Sequence, residues 1–135
     1  MNMLLLVAAA ALIDRDGRVL VASRPKGKEL AGLWEFPGGK LQDAETPEDA
    51  LVRELKEELG VRTEQSCLAP IAFASHSLGA RHLLMPLFVC RKWSGVPVAR
   101  EGQELRWVRP EELLGIDFVP ADKPVARQLR DFLCG

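Results

Sequence analysis

The sequence has no surplus of either charge: 18 Lys and Arg stand against 19 Asp and Glu, a net charge of −1. Binding long nucleic acid requires many phosphates to be neutralised and normally shows as a basic excess, so long nucleic acid is not an expected partner. A small charged substrate needs only a few local cations. Cysteine is scarce. Cys67, Cys90 and Cys134 are odd in number and far apart, which supplies neither a disulfide framework nor paired metal-ligand spacing. Free thiols in a reducing cytosol are the reading adopted, and the expected location is cytoplasmic. Long hydrophobic runs are also missing. Met3 to Ile13 is nearly all apolar but too short to cross a bilayer, and no Lys or Arg precedes it as a signal peptide requires. No membrane partner is expected. Repeats, low-complexity tracts and linkers are absent. What remains is 135 residues at 47% apolar, enough for one domain spanning residues 1–135 around a single core and too apolar for disorder.

The apolar run is followed by Asp14-Arg15-Asp16-Gly17 and then Val19-Leu20-Val21, which predicts a buried strand, a tight turn and a second strand as a hairpin. A polar loop, Pro25 to Gly32, precedes a short strand at Leu33 to Phe36 that Pro37-Gly38-Gly39 breaks. From Thr46 to Leu59 the pattern is helical. Thr46 suits the N-cap, Pro47 the first turn, and Gly60 the C-terminal stop. Ile71 to Leu78 and Leu83 to Trp93 resemble strands, with Pro86 marking an edge or bulge in the second. Leu105 to Val108 alternates like a strand, and Pro110 to Leu114 suits a short helix. Pro124 to Leu133 suits a closing helix with Val125, Leu129 and Phe132 on one side. Strands mixed with helices imply a layered α/β domain.

The informative segment is Arg53-Glu54-Leu55-Lys56-Glu57-Glu58-Leu59-Gly60. At roughly 100° per residue, Glu54, Glu57 and Glu58 share one stripe, beside an apolar stripe of Leu51, Val52, Leu55 and Leu59. Asp49, Arg53 and Lys56 take the wet side. Glu57 and Glu58 lie in the last turn, against the helix dipole, and at spacings from Glu54 where like charges repel. Arg53 reaches Glu57 at i+4 and relieves part of this. A divalent cation would compensate the rest, and carboxylate oxygens suit hard Mg²⁺. On this pattern alone, a metal site and a solvated charged face are equal readings. The Phe36-Pro37-Gly38-Gly39-Lys40 loop lets the backbone turn tightly in front of the helix, leaving a carbonyl or amide open to a ligand.

Gly39, five residues, Glu45, seven residues, then Arg53-Glu54-Leu55-Lys56-Glu57-Glu58-Leu59-Gly60-Val61 resembles the complete 23-residue box of the Nudix hydrolases. Trp34 to Lys40 and Glu101-Gly102-Gln103 are similar to the MutT-type branch, which hydrolyses oxidised nucleoside triphosphates. The resemblance implies an α/β/α sandwich with a mixed β-sheet, built on a loop–helix–loop. It implies a Mg²⁺ ion, with Mn²⁺ as the alternative, held by Glu57, Glu58, Glu54, Glu101 and the Gly38 carbonyl. Glu54 is a further ligand or the base that prepares water, and Glu101 serves a second metal or the attacking water. Arg53 would orient a catalytic glutamate and Glu45 would hold the loop. Arg24, Glu35, Phe36, Gly38, Lys40 and Asp122 are the expected substrate-binding residues, with Arg24 and Lys40 gripping phosphates. For Arg24, Lys40 and Glu101 the competing reading is an ordinary surface charge. His76 and His82 are expected in a core or surface role rather than in catalysis.

Asp122 stands where MutT-type enzymes specific for 8-oxoguanine carry asparagine. A carboxylate accepts hydrogen bonds only, whereas an amide also donates. Asp122 is equally suited to cap the last helix. Phe36 and Trp34 are candidates for stacking on a base or for the core. The expected activity is metal-dependent hydrolysis of a nucleoside triphosphate such as 8-oxo-dGTP to the monophosphate and pyrophosphate, in nucleotide-pool sanitation. The alternatives are CTP or another pyrimidine triphosphate, ADP-ribose or another nucleoside diphosphate derivative, and a non-catalytic nucleotide-recognition module. The expected partner is a small nucleotide, and the expected state a monomer or weak dimer.

Overall fold

The computed structural model describes residues 3–135. In chain order it forms β1 (Leu4–Leu12), β2 (Val19–Ser23), β3 (Trp34–Glu35), β4 (Gly38–Lys40), α1 (Pro47–Leu59), β5 (Leu68–Leu78), β6 (Arg81–Cys90), β7 (Leu105–Val108) and α2 (Asp122–Cys134). Short 3₁₀ turns lie at Gln65–Cys67 and Pro110–Gly115. Four strands make a mixed sheet in the order β4-β1-β6-β5, in which β1 runs parallel to β6 and antiparallel to β4. The other three make an antiparallel sheet in the order β3-β2-β7.

β1 organises the layers. Successive side chains of a strand point to opposite faces, and every residue from Ala8 to Ile13 is buried. Ala8, Ala10 and Leu12 pack with Leu51, Leu55 and Leu59 of α1 and Phe88 and Cys90 of β6. Ala9, Ala11 and Ile13 pack with Leu87 and Val89 of β6 and Val125 and Leu129 of α2. The expected single core is therefore two cores, one on each face of the mixed sheet, with a helix closing each. Leu51, Leu55 and Leu59 are fully buried, each contributing about 1.5–3 kcal/mol.

The ends of α1 follow from their residues. Thr46 Oγ1 accepts from the Asp49 N–H and Thr46 N–H donates to Asp49 Oδ2, both at 3.1 Å, closing a capping box. Gly60 takes the left-handed conformation at φ 70° and donates its N–H to the Lys56 carbonyl.

Five expectations are corrected. The Asp14–Gly17 turn forms, but β1 and β2 are not a hairpin, since only Ile13 bridges Val19. The edges of β1 are already taken by β6 and β4, so β2 joins the second sheet. The short strand does break before Pro37, but Gly38 and Gly39 are not loop, because Gly38–Lys40 opens a new strand in the other sheet and pairs with Val7–Ala9. Pro86 lies in an interior strand, not at an edge. Its missing N–H falls where the β1–β6 register pauses between Leu6–Leu84 and Ala9–Leu87, and the bulge lies in β5 between Pro70 and Ala72. Phe132 is half exposed while Val125 and Leu129 are buried. Arg53 is not on a wet face: it turns inward to neighbouring glutamates, its side chain 21% exposed.

Candidate active site

Elements from both sheets and α1 surround a cavity of about 520 Å³. Glu54 and Glu58 enter from α1, Gly38, Gly39 and Lys40 from β4, and Glu35 and Phe36 from β3 and just after it. Ser23, Arg24 and Lys28 come from the end of β2 and its loop, Met85 from β6, Glu101 and Gln103 from the loop before β7, and Asp122 from the start of α2. Of the expected site residues, Glu54, Glu58, Glu101, Arg24, Glu35, Phe36, Gly38, Lys40 and Asp122 share this one cavity. Glu57 and Arg53 do not line it. Trp34 also stays out, with the Arg106 guanidinium 4.6 Å from its ring centre.

Backbone contact requires glycine at 38, and the Glu54 side chain crowds position 39. A Cβ on Gly38 would collide with the Ala8 carbonyl oxygen, and one on Gly39 with the Glu54 carboxylate. β4 thus pairs closely with β1 and leaves Glu54 its space. The Gly38 N–H donates to Glu58 Oε2 at 3.1 Å, tying loop to helix.

Arg53 holds the helix end together. Its Nε and Nη2 donate to Glu45 at 2.8 and 2.9 Å, its Nη1 to Glu54 at 2.6 Å and more weakly to Glu57 at 3.4 Å, and its Nη2 to the Lys40 carbonyl at 3.1 Å. Glu45 in turn accepts from the Gln42 N–H at 2.7 Å. The bonds from Arg53 and Gln42 hold the Glu45 carboxyl at about 2. Glu54 is thus a closer partner of Arg53 than Glu57.

The cavity is an electrostatic conflict. Burial, then the charge of Glu54, with Glu101 and Glu35 adding, pushes the Glu58 carboxyl up to about 8 against the Gly38 hydrogen bond. Burial also raises Glu54, opposed by Arg53. Burial raises Glu35, although Arg24 lies 3.5 Å away. Clustered, desolvated carboxylates cost free energy unless a cation joins them, so the donor set suits a hard divalent ion. Among the described residues, no three Asp, Glu, His or Cys side chains stand ready to hold an ion unaided. An ion bound here would also draw on backbone carbonyl, water or substrate oxygens, as Mg²⁺ commonly does.

At the other end, Asp122 is 4% exposed and its Oδ2 accepts from the Phe36 N–H at 2.9 Å. Burial, with the charge of Glu35 adding, pushes its carboxyl up to about 7. Ala121 is the N-cap of α2 and makes no side-chain cap, so of the two readings open for Asp122 capping is not realised, and its side chain instead reaches across to Phe36. Phe36 is both core and cavity wall: it is 4% exposed and stacks on Phe118 at 5.1 Å.

Sequence reasoning missed Ser23, Lys28, Met85 and Gln103. Only Gln103 stood in a segment already singled out, Glu101-Gly102-Gln103, and that segment pointed to no part for its side chain. Neither histidine lines the cavity; His82 bonds the Ser75 hydroxyl at 2.6 Å. The three cysteines are free, and no helix among the described residues is long and apolar enough to cross a membrane.

Comparison with known proteins bears on the family and the fold. A family model described as NUDIX domain matches residues 8–128. The CTP pyrophosphohydrolase of Escherichia coli K12 is 39% identical over 123 residues, covering 91% of this chain and 90% of that protein. The 8-oxo-dGTP diphosphatase of the same organism is 32% identical over 124 residues, covering 92% and 95%. The solution structure of the E. coli ORF135 protein superposes with a TM-score of 0.85 at 35% identity, covering 97% of this chain and 91% of that one.

Proposed function

The chain belongs to the Nudix family, and from that premise we propose that residues 1–135 act as one hydrolase domain that cleaves a nucleoside triphosphate to the monophosphate and pyrophosphate. It is an enzyme, as its diphosphatase relatives are. The observation that carries the proposal is the meeting of Glu54, Glu58 and Glu101 with the Gly38-Gly39 backbone and the cations Arg24 and Lys40 in one cavity.

Nudix hydrolases generally use divalent metal ions. Here Glu58, Glu101 and the Gly38 carbonyl would hold Mg²⁺, or Mn²⁺ in its place, and Glu57 would join after leaving Arg53. When bound, the ion neutralises phosphate oxygens and acidifies water. The chain's own residues do the rest. Arg24 and Lys40 grip phosphate oxygens. Arg53 fixes the orientation of Glu54, which takes the proton from the attacking water. The water oxygen bonds to phosphorus as the phosphoanhydride oxygen departs on pyrophosphate. Phe36 forms a wall for the base, and Glu35 and Asp122 face its polar edge.

Oxidised purine nucleotides such as 8-oxo-dGTP are the leading substrates. CTP is the second reading, favoured by the likeness to the CTP pyrophosphohydrolase and by an aspartate that, when ionised, only accepts. The test is pyrophosphate release with Mg²⁺ across 8-oxo-dGTP, dGTP, CTP, dCTP and ADP-ribose. Preference for one triphosphate with loss of activity in Glu58→Gln, folded by circular dichroism, supports the proposal. Turnover of ADP-ribose alone refutes it, and no turnover at all leaves a recognition module.

A further inference from the structure

We propose that Gln103 is a positioning residue that holds Glu101 in one frame with the carboxylates of α1. This rests on the hydrolase reading above and adds to it a residue that acts through its neighbours.

Gln103 is one of three polar or charged residues buried among the described residues, at 8% exposure. Both ends of its amide are used. Oε1 accepts from the Glu101 N–H at 2.8 Å, and Nε2 donates to the Glu58 carbonyl at 3.4 Å. A single side chain therefore touches the backbone of two residues, Glu58 and Glu101, that both line the cavity. The rest of the loop is pinned around it. Arg100 N–H also donates to the Glu58 carbonyl at 3.1 Å, and Arg100 Nη1 to the Lys56 carbonyl at 3.3 Å. Val98 N–H donates to the Leu59 carbonyl. Beyond Gln103, Glu104 N–H donates to Ser23 Oγ at 2.9 Å, and Ser23 N–H to the Glu104 carbonyl at 2.9 Å.

A helix end leaves its last carbonyls without helical partners. Here the loop supplies donors to them, and the same contacts set where Glu101 stands. Gly102, at φ 80°, allows the chain to reverse between Glu101 and Gln103 so that the amide can reach back. Gln103 is the one member of this loop whose side chain bonds directly to the Glu101 backbone. Without it, Glu101 keeps its anchor at Arg100 but loses the fixed turn after it. Small displacements of a reacting group are enough to cost catalysis.

The test uses Gln103→Met, similar in length and without hydrogen-bonding groups of comparable strength, beside Glu101→Gln and the double variant. In the wild-type background Gln103→Met should lower kcat for the best triphosphate by about tenfold or more, with KM changed less than about threefold. The Mn²⁺ concentration for half-maximal protection against thermal unfolding, without nucleotide, should rise. In the Glu101→Gln background the same substitution should add little, because residues acting as one unit are not additive. If Gln103→Met does not fold, Gln103→Asn, which keeps the amide but withdraws it by one methylene, carries the same cycle. A folded variant with kcat within twofold of wild type overturns the inference, as do losses that simply multiply. A wild-type chain that turns over no triphosphate would instead refute the hydrolase reading.

Discussion

Asp122→Asn gives the sharpest single perturbation, because it changes charge at a buried site without changing shape. An aspartate that ordinarily titrates at 3.8 is pushed by burial, with Glu35 adding, to about 7 in the folded chain. Between those two values the folded protein binds a proton that the unfolded chain has released. Stability from this group is therefore fully present below about pH 4 and is lost as pH rises through 7. Between pH 5 and pH 7.5 the linkage amounts to a loss on the order of 2–3 kcal/mol. For a chain of this length that is roughly 10 °C in Tm. The amide oxygen of asparagine can still accept from the Phe36 N–H, and no charge has to be desolvated. The assay is thermal unfolding by circular dichroism, in chelator, across that pH range. The difference between variant and wild type should be smallest at the acid end and should grow in favour of Asp122→Asn by about 2–3 kcal/mol between pH 5 and pH 7.5. Parallel profiles would refute the buried, proton-holding aspartate. Above about pH 7, where Asp122 is ionised, the same variant gains a donor toward the base, so the ratio of 8-oxo-dGTP to CTP turnover should change there while the metal requirement stays fixed.

Other outcomes follow from the same geometry. Glu58→Gln should lower kcat by about 10²-fold or more and abolish most of the Mg²⁺-dependent rise in Tm, as read by paired melts with and without the ion. Gly39→Ala should leave the circular dichroism spectrum intact yet reduce kcat, because its methyl group occupies the space of the Glu54 carboxylate; full activity in this variant would mean that Glu54 is free to move. Leu55→Ala, at a fully buried position of α1, should destabilise by about 2–5 kcal/mol in chemical denaturation. A loss under about 1 kcal/mol would mean that α1 is not packed as described.

The helix that carries the carboxylates was legible because its signals are local. Thr46, the 3.6-residue spacing of Leu51, Leu55 and Leu59, and Gly60 all act within a turn or two of themselves. The box spacing then brought Glu45, Arg53 and Glu54 together on paper, and they are bonded in the structure. Strand pairing was less legible because it is decided between distant segments. Asp16-Gly17 promised a hairpin, but that turn carries no information on which neighbours β1 has already taken. Pro86 read as an edge for the same reason: its missing N–H is tolerated inside the sheet because the partner register pauses there. Asp122 was ambiguous since both of its readings begin at a helix start, and only the fold brings Phe36, 86 residues away, within reach. Gln103 was overlooked because one amide's bonds to two backbones leave no pattern along the chain.

The four consecutive alanines of β1 have a consequence for which changes the enzyme can tolerate. They let both helices sit close to the strand, and Gly38 rests against the same stretch through Ala8 and Ala9. The strand works as a thin shim between the two halves of the active site, although most of it meets no substrate. Thickening it from behind, for example by placing valine at Ala10 beneath α1, would lift the carboxylates off the loop they must meet. Catalytic geometry in this chain is therefore exposed to mutation in the most inert-looking part of its interior.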